Sequence, residues 1–222
     1  MDGPSYKLST AVFVKSSNHG GCWTPAEIIG FDTDRGSRNS IEVVLSPDED
    51  DCIMTVNQDD EFDSTGNDSW AIMAVDLNAY PKSTLPLQEI DEYGRRVVHP
   101  DLTDMQYLHE AGILYNLKDR HKVSKPYTRA GNVIIAMNPY KWIRGLYSEE
   151  NKRYYADRLV WRPKNGLKSV KQEPHVYEVS CMAYKGLLGF GNGGYVGGGE
   201  QVELVNQAIL ISGESGSGKT VR

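Results

Sequence analysis

Residues Gly213, Glu214, Ser215, Gly216, Ser217, Gly218, Lys219 and Thr220 satisfy G-x-x-x-x-G-K-[ST] at every fixed position, the pattern of a phosphate-binding loop. Glycine lets successive backbone N–H groups turn inward toward phosphate oxygens, where a Cβ would obstruct them. Lys219 brings a full positive charge to the β- and γ-phosphates, and the Thr220 hydroxyl is placed to ligate Mg²⁺. The apolar run from Ala208 to Ser212 feeds directly into the pattern, which predicts a buried strand ahead of the loop. That context argues for a phosphate site over a glycine-serine turn that happens to precede a lysine.

The rest of the chain offers few competing chemistries. A formal charge of −6, with no segment dominated by Lys and Arg, argues against nucleic-acid binding. Cys22, Cys52 and Cys181 are far apart and outside any C-x-x-C pattern, as expected of free thiols in a reducing cytoplasm. No two of the five histidines stand at ligand spacing. The N-terminus lacks the basic and apolar regions of a signal peptide, and no run approaches the length of a membrane helix, so neither secretion nor membrane insertion is expected.

The elements around the loop fall into two regimes. From Thr10 to about Val75, five short strand-like runs alternate with turns: "TAVFVK", "CWTPAEIIGFD", "SIEVVLS", "DCIMTVN" and "SWAIMAVD". That density predicts a small barrel over residues 1–78. The acidic stretches "SPDEDD" and "QDDEFDSTGNDS" read as solvated loops, and "AIMAVD", ending on Asp76, as a barrel strand. The stretch from 75 to 100 carries three prolines and little periodicity, so residues 79–98 read as a connector. Helical spacing then appears in "DLTDMQYLHEAGILYNLKDRH", where Thr103 and Gln106 have the form of a capping box and Gly112 suggests a break between two short helices.

The run Val133 to Met137, bounded by Gly131 and by Asn138-Pro139, predicts a buried strand with an abrupt stop. Ser148 is placed to cap a helix through "EENKRYYADR", and Pro174 to open another at its first helical position. Between that helix and the loop, eight glycines in residues 186–199 predict a flexible stretch. Gly189, Gly191 and Gly194 match G-x-G-x-x-G there, but they follow a helix, which argues against a dinucleotide site.

Four segments in this order, "DLTDMQYLHEAGILYNL", "AGNVIIAMNPYKWIRGLY", "PHVYEVSCMAYK" and "NQAILISGESGSGKT", resemble the start of a myosin motor head. The resemblance is dense from His99 to Thr220. It is looser from Ala11 to Val75, where "VFVKSSNHGGCWTPAEIIGF" is similar to the SH3-like barrel that precedes many myosin heads. It implies an α/β P-loop NTPase fold over residues 99–222, ATP and Mg²⁺ as cofactors, actin filaments as partner and a cytoskeletal location in the cytoplasm. Asn138, Pro139, Tyr140, Lys141 and Tyr147 resemble the family's adenine-pocket segment, and a proline-stopped strand with aromatics suits a flat apolar slot for a purine.

Departures from the family pattern qualify this reading. Ser217 replaces the commonest alanine of the loop, Ala111 stands where proline is frequent, and the basic stretch 161–173 and the glycine-rich stretch are longer than usual. The segments that sense the γ-phosphate and bind actin follow the P-loop in the family, so the chain reads as the motor's N-terminal portion, truncated after the P-loop and without motor activity of its own. The rival expectations are another P-loop NTPase with an N-terminal extension, and a non-enzymatic SH3-like interaction module with a vestigial P-loop.

Overall fold

The computed structural model describes residues 6–16, 21–31, 40–46, 72–161, 172–188 and 206–219. The expected strand "DCIMTVN", Thr220 and the G-x-G-x-x-G glycines, with most of the glycine-rich and basic stretches, lie outside them. The chain divides into two compact units, residues 1–97 with 105–116, and residues 98–104 with 117–222.

In the first unit, β1 (Ala11–Ser16), β2 (Cys22–Phe31), β3 (Ser40–Leu45) and β4 (Ile72–Asp76) form an antiparallel meander in chain order. Ile41, Val43 and Leu45 are buried while Glu42 is exposed, the period-two alternation of a strand with one covered face. A bulge between Ile28 and Gly30 interrupts the β2–β3 register and leaves Ile29 outside the core. Val12, Val14, Ile28 and Val43 meet in that core at 0% exposure, together with Val75, Leu77 and Leu85.

Strand β1 is apolar on both faces because both are covered. Phe13, opposite Val12 and Val14, packs on Ala111 and Tyr115, its ring 4.9 Å from that of Tyr115, whose hydroxyl donates to the Trp23 carbonyl at 2.9 Å. The outer edge of β1 is not bare. Phe13 N–H donates to the Pro86 carbonyl at 2.8 Å and Gln88 N–H to the Ala11 carbonyl at 2.9 Å, so residues 86–88 satisfy backbone groups that would otherwise form an open edge.

Helix α1 (Glu110–Lys122) is continuous, so the expected break at Gly112 does not occur. The His109 ring caps the helix instead, its Nδ1 accepting from Gly112 N–H at 3.0 Å. A Cβ on Gly112 would lie 3.0 Å from Met105 Cε and 3.3 Å from the Tyr107 carbonyl. The glycine is there for close approach to the preceding turn. Ala111, where the family often has proline, is fully buried against Phe13. The capping box also fails: Thr103 turns back to Asp101, its N–H and hydroxyl both donating to Oδ1 at 3.0 and 2.7 Å, and Gln106 N–H goes to Glu89.

In the second unit, β5 (Tyr127–Ala130) and β6 (Val133–Ala136) form a hairpin turning at Gly131, with φ +61°. The strand expected at 133–137 is present but not buried: Val133 is 62% exposed, because among the described residues β6 pairs only with β5. Ser148 does cap α2 (Glu149–Ala156), its hydroxyl accepting from Asn151 N–H at 3.2 Å. Helix α3 (Val176–Leu187) is capped by His175, which places Pro174 outside the helix rather than at its first position.

The strand expected from Ala208 to Ser212 is absent. Residues 206–214 carry no strand pairing, and Leu210 is 93% exposed. A strand is a pairing between chains of backbone donors and acceptors, and no described strand lies against this run.

Two ion networks tie the second unit together. Buried Arg120 donates to the Tyr127 carbonyl at 2.6 Å, to Thr128 Oγ1 at 3.0 Å and to Glu173. Arg129 pairs with Glu178 at 2.6 Å. Planar guanidinium groups suit such sites because their fork of donors satisfies several acceptors at once.

Candidate nucleotide site

The phosphate-loop pattern folds as a tight turn. Ser217 N–H donates to the Glu214 carbonyl at 3.2 Å, and Gly216 and Gly218 take φ of +83° and +89°, conformations that side chains with a Cβ rarely adopt. Lys219 Nζ donates to the carbonyls of Gly213 and Glu214, both at 2.6 Å, so the ammonium lies over the loop's own backbone. A Cβ on Gly218 would come within 2.9 Å of Asn138 Nδ2. The loop therefore lies directly against the segment that follows β6.

That segment owes its shape to Asn138 and Pro139. Met137 N–H still pairs with the Pro126 carbonyl at 2.8 Å, but Pro139 has no N–H to continue the ladder. Asn138 Oδ1 instead accepts from Tyr140 N–H at 3.0 Å, closing a side-chain turn that holds Tyr140 at φ +48°. The chain comes back through Gly145, at φ +80°, to Tyr147.

Between loop and segment is a cleft of about 540 Å³ whose walls include Asn138, Pro139, Tyr140, Lys141, Tyr147, Ser217 and Gly218. The structure thus brings all five residues of the expected base segment together with two of the loop. Gly213, Glu214, Ser215, Gly216 and Lys219 are not among the walls, and Thr220 lies outside the described residues. Tyr127 and Trp142 also line the cleft and escaped the sequence reading. Tyr127 belongs to an unremarkable strand, and Trp142 was legible only as a further aromatic beside "NPYK".

Behind Tyr147 lies an aromatic cluster centred on His175. The residue is 3% exposed, with ring centroids of Tyr177, Tyr127 and Tyr155 at 4.5, 5.0 and 5.1 Å from its own. Burial holds the imidazole below its ordinary pKa, against an opposing hydrogen bond to the Leu146 carbonyl. Burial also raises the Tyr127 phenol, helped by its hydrogen bond to Tyr147, and pushes Tyr155 up to about 12. These shifts favour the neutral forms of His175, Tyr127 and Tyr155 at neutral pH.

Residues 99–222 match a family described as the myosin head, or motor domain. The chain belongs to the myosin head family. It is 36% identical to Myosin-7 of Arabidopsis thaliana over 143 residues, covering 64% of this chain and 6% of that protein. Identity to Myosin-13 of the same plant is 33% over 150 residues, 67% of this chain and 8% of the relative. Myosin-H heavy chain of Dictyostelium discoideum is 36% identical over 120 residues, 54% of this chain and 6% of the relative. The myosin-head chain thus spans less than a tenth of the length of these three relatives.

Proposed function

We propose that residues 99–222 are the ATP-binding portion of an actin-based motor, with the phosphate loop holding the polyphosphate and the 138–147 segment holding the base. The observation that carries this reading is the cleft in which Ser217 and Gly218 face Asn138 and Tyr147. Its volume of about 540 Å³ falls in the usual range for small-molecule sites. The positive φ at Gly216 and Gly218 fits a loop whose backbone N–H groups must approach an anion closely. Lys219 supplies the charge for the β- and γ-phosphates once it leaves its carbonyl partners, and Thr220 would ligate Mg²⁺.

ATP hydrolysis coupled to movement along actin filaments, at a cytoskeletal location in the cytoplasm, is proposed for a longer protein that includes these residues. Residues 1–78 are proposed to form its SH3-like barrel, residues 79–98 a connector, and residues 99–222 the first part of a P-loop NTPase fold. In the barrel reading, the four-stranded meander is the described part of the closed sheet.

The 222-residue chain is expected to bind Mg·ATP more weakly than micromolar. Lys219 must exchange two short hydrogen bonds for phosphate, and the apolar run before the loop is not held by any described strand. Titration with a fluorescent ATP analogue in Mg²⁺, displaced by ATP, measures this binding. A single charge pair at ~4 Å and an effective dielectric of ~20 is worth about 4 kcal/mol, so Lys219→Ala should weaken binding at least tenfold even after solvent screening. An unchanged affinity in that variant would overturn the reading.

A further inference from the structure

Tyr147 is held at three points, and two of them come from the start of α3. Its hydroxyl shares a hydrogen bond of 2.7 Å with the Tyr127 hydroxyl. Its carbonyl accepts from the Tyr177 hydroxyl at 3.2 Å. The preceding carbonyl, on Leu146, lies 3.0 Å from His175 Nε2. The same imidazole caps α3, its Nδ1 accepting from Tyr177 N–H at 3.1 Å.

These contacts fix the histidine's chemistry. Nδ1 must carry a lone pair to accept from Tyr177, so the proton of the neutral ring is on Nε2 and is donated to Leu146. The ring cannot tilt freely, because Tyr127, Tyr155 and Tyr177 enclose it. His175 is not a wall of the cleft. It can influence a ligand there only through the walls it touches, Leu146, Tyr147 and Tyr127.

We propose that His175 is a positioning residue for the base slot, bridging the first turn of α3 to the Leu146 carbonyl and so setting the depth and tilt of Tyr147. Tyr127 completes the device. Its phenol is 7% exposed as a residue, so its hydroxyl keeps its bond to Tyr147 and fixes how the Tyr147 hydroxyl is oriented. Whichever oxygen donates, Tyr147 retains hydrogen-bonding capacity for a nucleobase edge. The proposal rests on the nucleotide reading of the cleft, and it predicts an effect on the base alone, since among the described residues neither hydrogen-bonds to the phosphate loop.

The test compares Mg·ATP with Mg·tripolyphosphate, which has no base, by NMR titration of the full 222-residue chain to millimolar ligand. His175→Asn retains a short side-chain oxygen that can cap Tyr177 N–H but cannot reach the Leu146 carbonyl, and Tyr127→Phe removes only a hydroxyl. Loss of one hydrogen bond corresponds to roughly a three- to tenfold change. Each variant should lose ATP affinity by about that factor, with tripolyphosphate affinity unchanged within about twofold. If both variants keep the wild-type preference for ATP, or lose both ligands equally, His175 is not a positioning residue while the cleft reading stands. If the wild type binds both ligands equally, or neither, there is no base slot and both readings fall. Should His175→Asn not fold by circular dichroism, Tyr127→Phe decides on the same criteria.

Discussion

Strand β1 and the run leading into the phosphate loop have similar local character, "AVFVKS" against "AILIS", and opposite fates. Val12 and Val14 are 0% exposed, whereas Leu210 is 93% exposed. In the first case β2 pairs one edge, residues 86–88 the other, and Phe13 finds Ala111 and Tyr115 on the second face. In the second, no described strand pairs with the run. Apolar β-type sequence supplies the surface to be buried, and burial itself depends on neighbours. The stability of the first unit should therefore reside in its strands, while the run before the loop should contribute little.

The largest expected effect tests the closed side of that contrast. Ile28→Ala removes most of a fully buried side chain and should cost about 2 to 5 kcal/mol by chemical denaturation, whereas Leu210→Ala should stay within about 0.5 kcal/mol. Comparable losses at the two positions would show that the run before the loop is buried in solution. Next comes Lys219→Ala, expected to leave the thermal midpoint in place while weakening Mg·ATP at least tenfold, on the ~4 kcal/mol scale of a close charge pair before screening. A fall in midpoint matching that of a core variant would make Lys219 a structural residue.

A smaller effect is expected from acid. The ordinary pKa of His175 is 6.5, and burial lowers it in the fold, so the unfolded chain takes up a proton that the folded ring resists. The stability due to neutral His175 is complete above about pH 6.5 and is lost as pH falls from there through the folded value. The second unit should accordingly melt at a lower temperature at about pH 5.5 than at about pH 7.5, and His175→Asn should narrow the gap. An unchanged gap would remove His175 as its source. Smaller still, Ser148→Ala removes the cap of α2 and should cost about 1 kcal/mol, read as a modest loss of helical signal stability; no change would show the cap to be replaced by solvent.

Much of the local structure was legible in the sequence. Ser148 caps α2 because a hydroxyl ahead of a helix can accept from an N–H that the helix leaves free. Asn138-Pro139 stops β6 because proline has no N–H to offer. Each of these rests on bonding within a few residues.

The misreadings share the opposite property. Gly112 suggested a break because glycine is a poor helix former, but the helix runs through it and a Cβ there would sit tightly against Met105 and Tyr107. Thr103 and Gln106 had the spacing of a capping box, yet Asp101 and Glu89 took their bonds. For His175 the sequence excluded only ligand spacing, and it was the fold that surrounded the residue with tyrosines and made it the cap of α3.

By itself, the sequence determined which residues could bind phosphate, where glycine permits left-handed backbone, and which family the chain resembles. Only tertiary structure decided that Gly218 lies against Asn138, that Tyr127 and Trp142 join the walls of the cleft, and that Leu210 remains uncovered while Val12 is enclosed. The physical reason is range. Backbone preferences and capping bonds are set by neighbours along the chain, whereas burial and the pairing of distant carbonyls and hydroxyls depend on which surfaces the completed fold brings into contact.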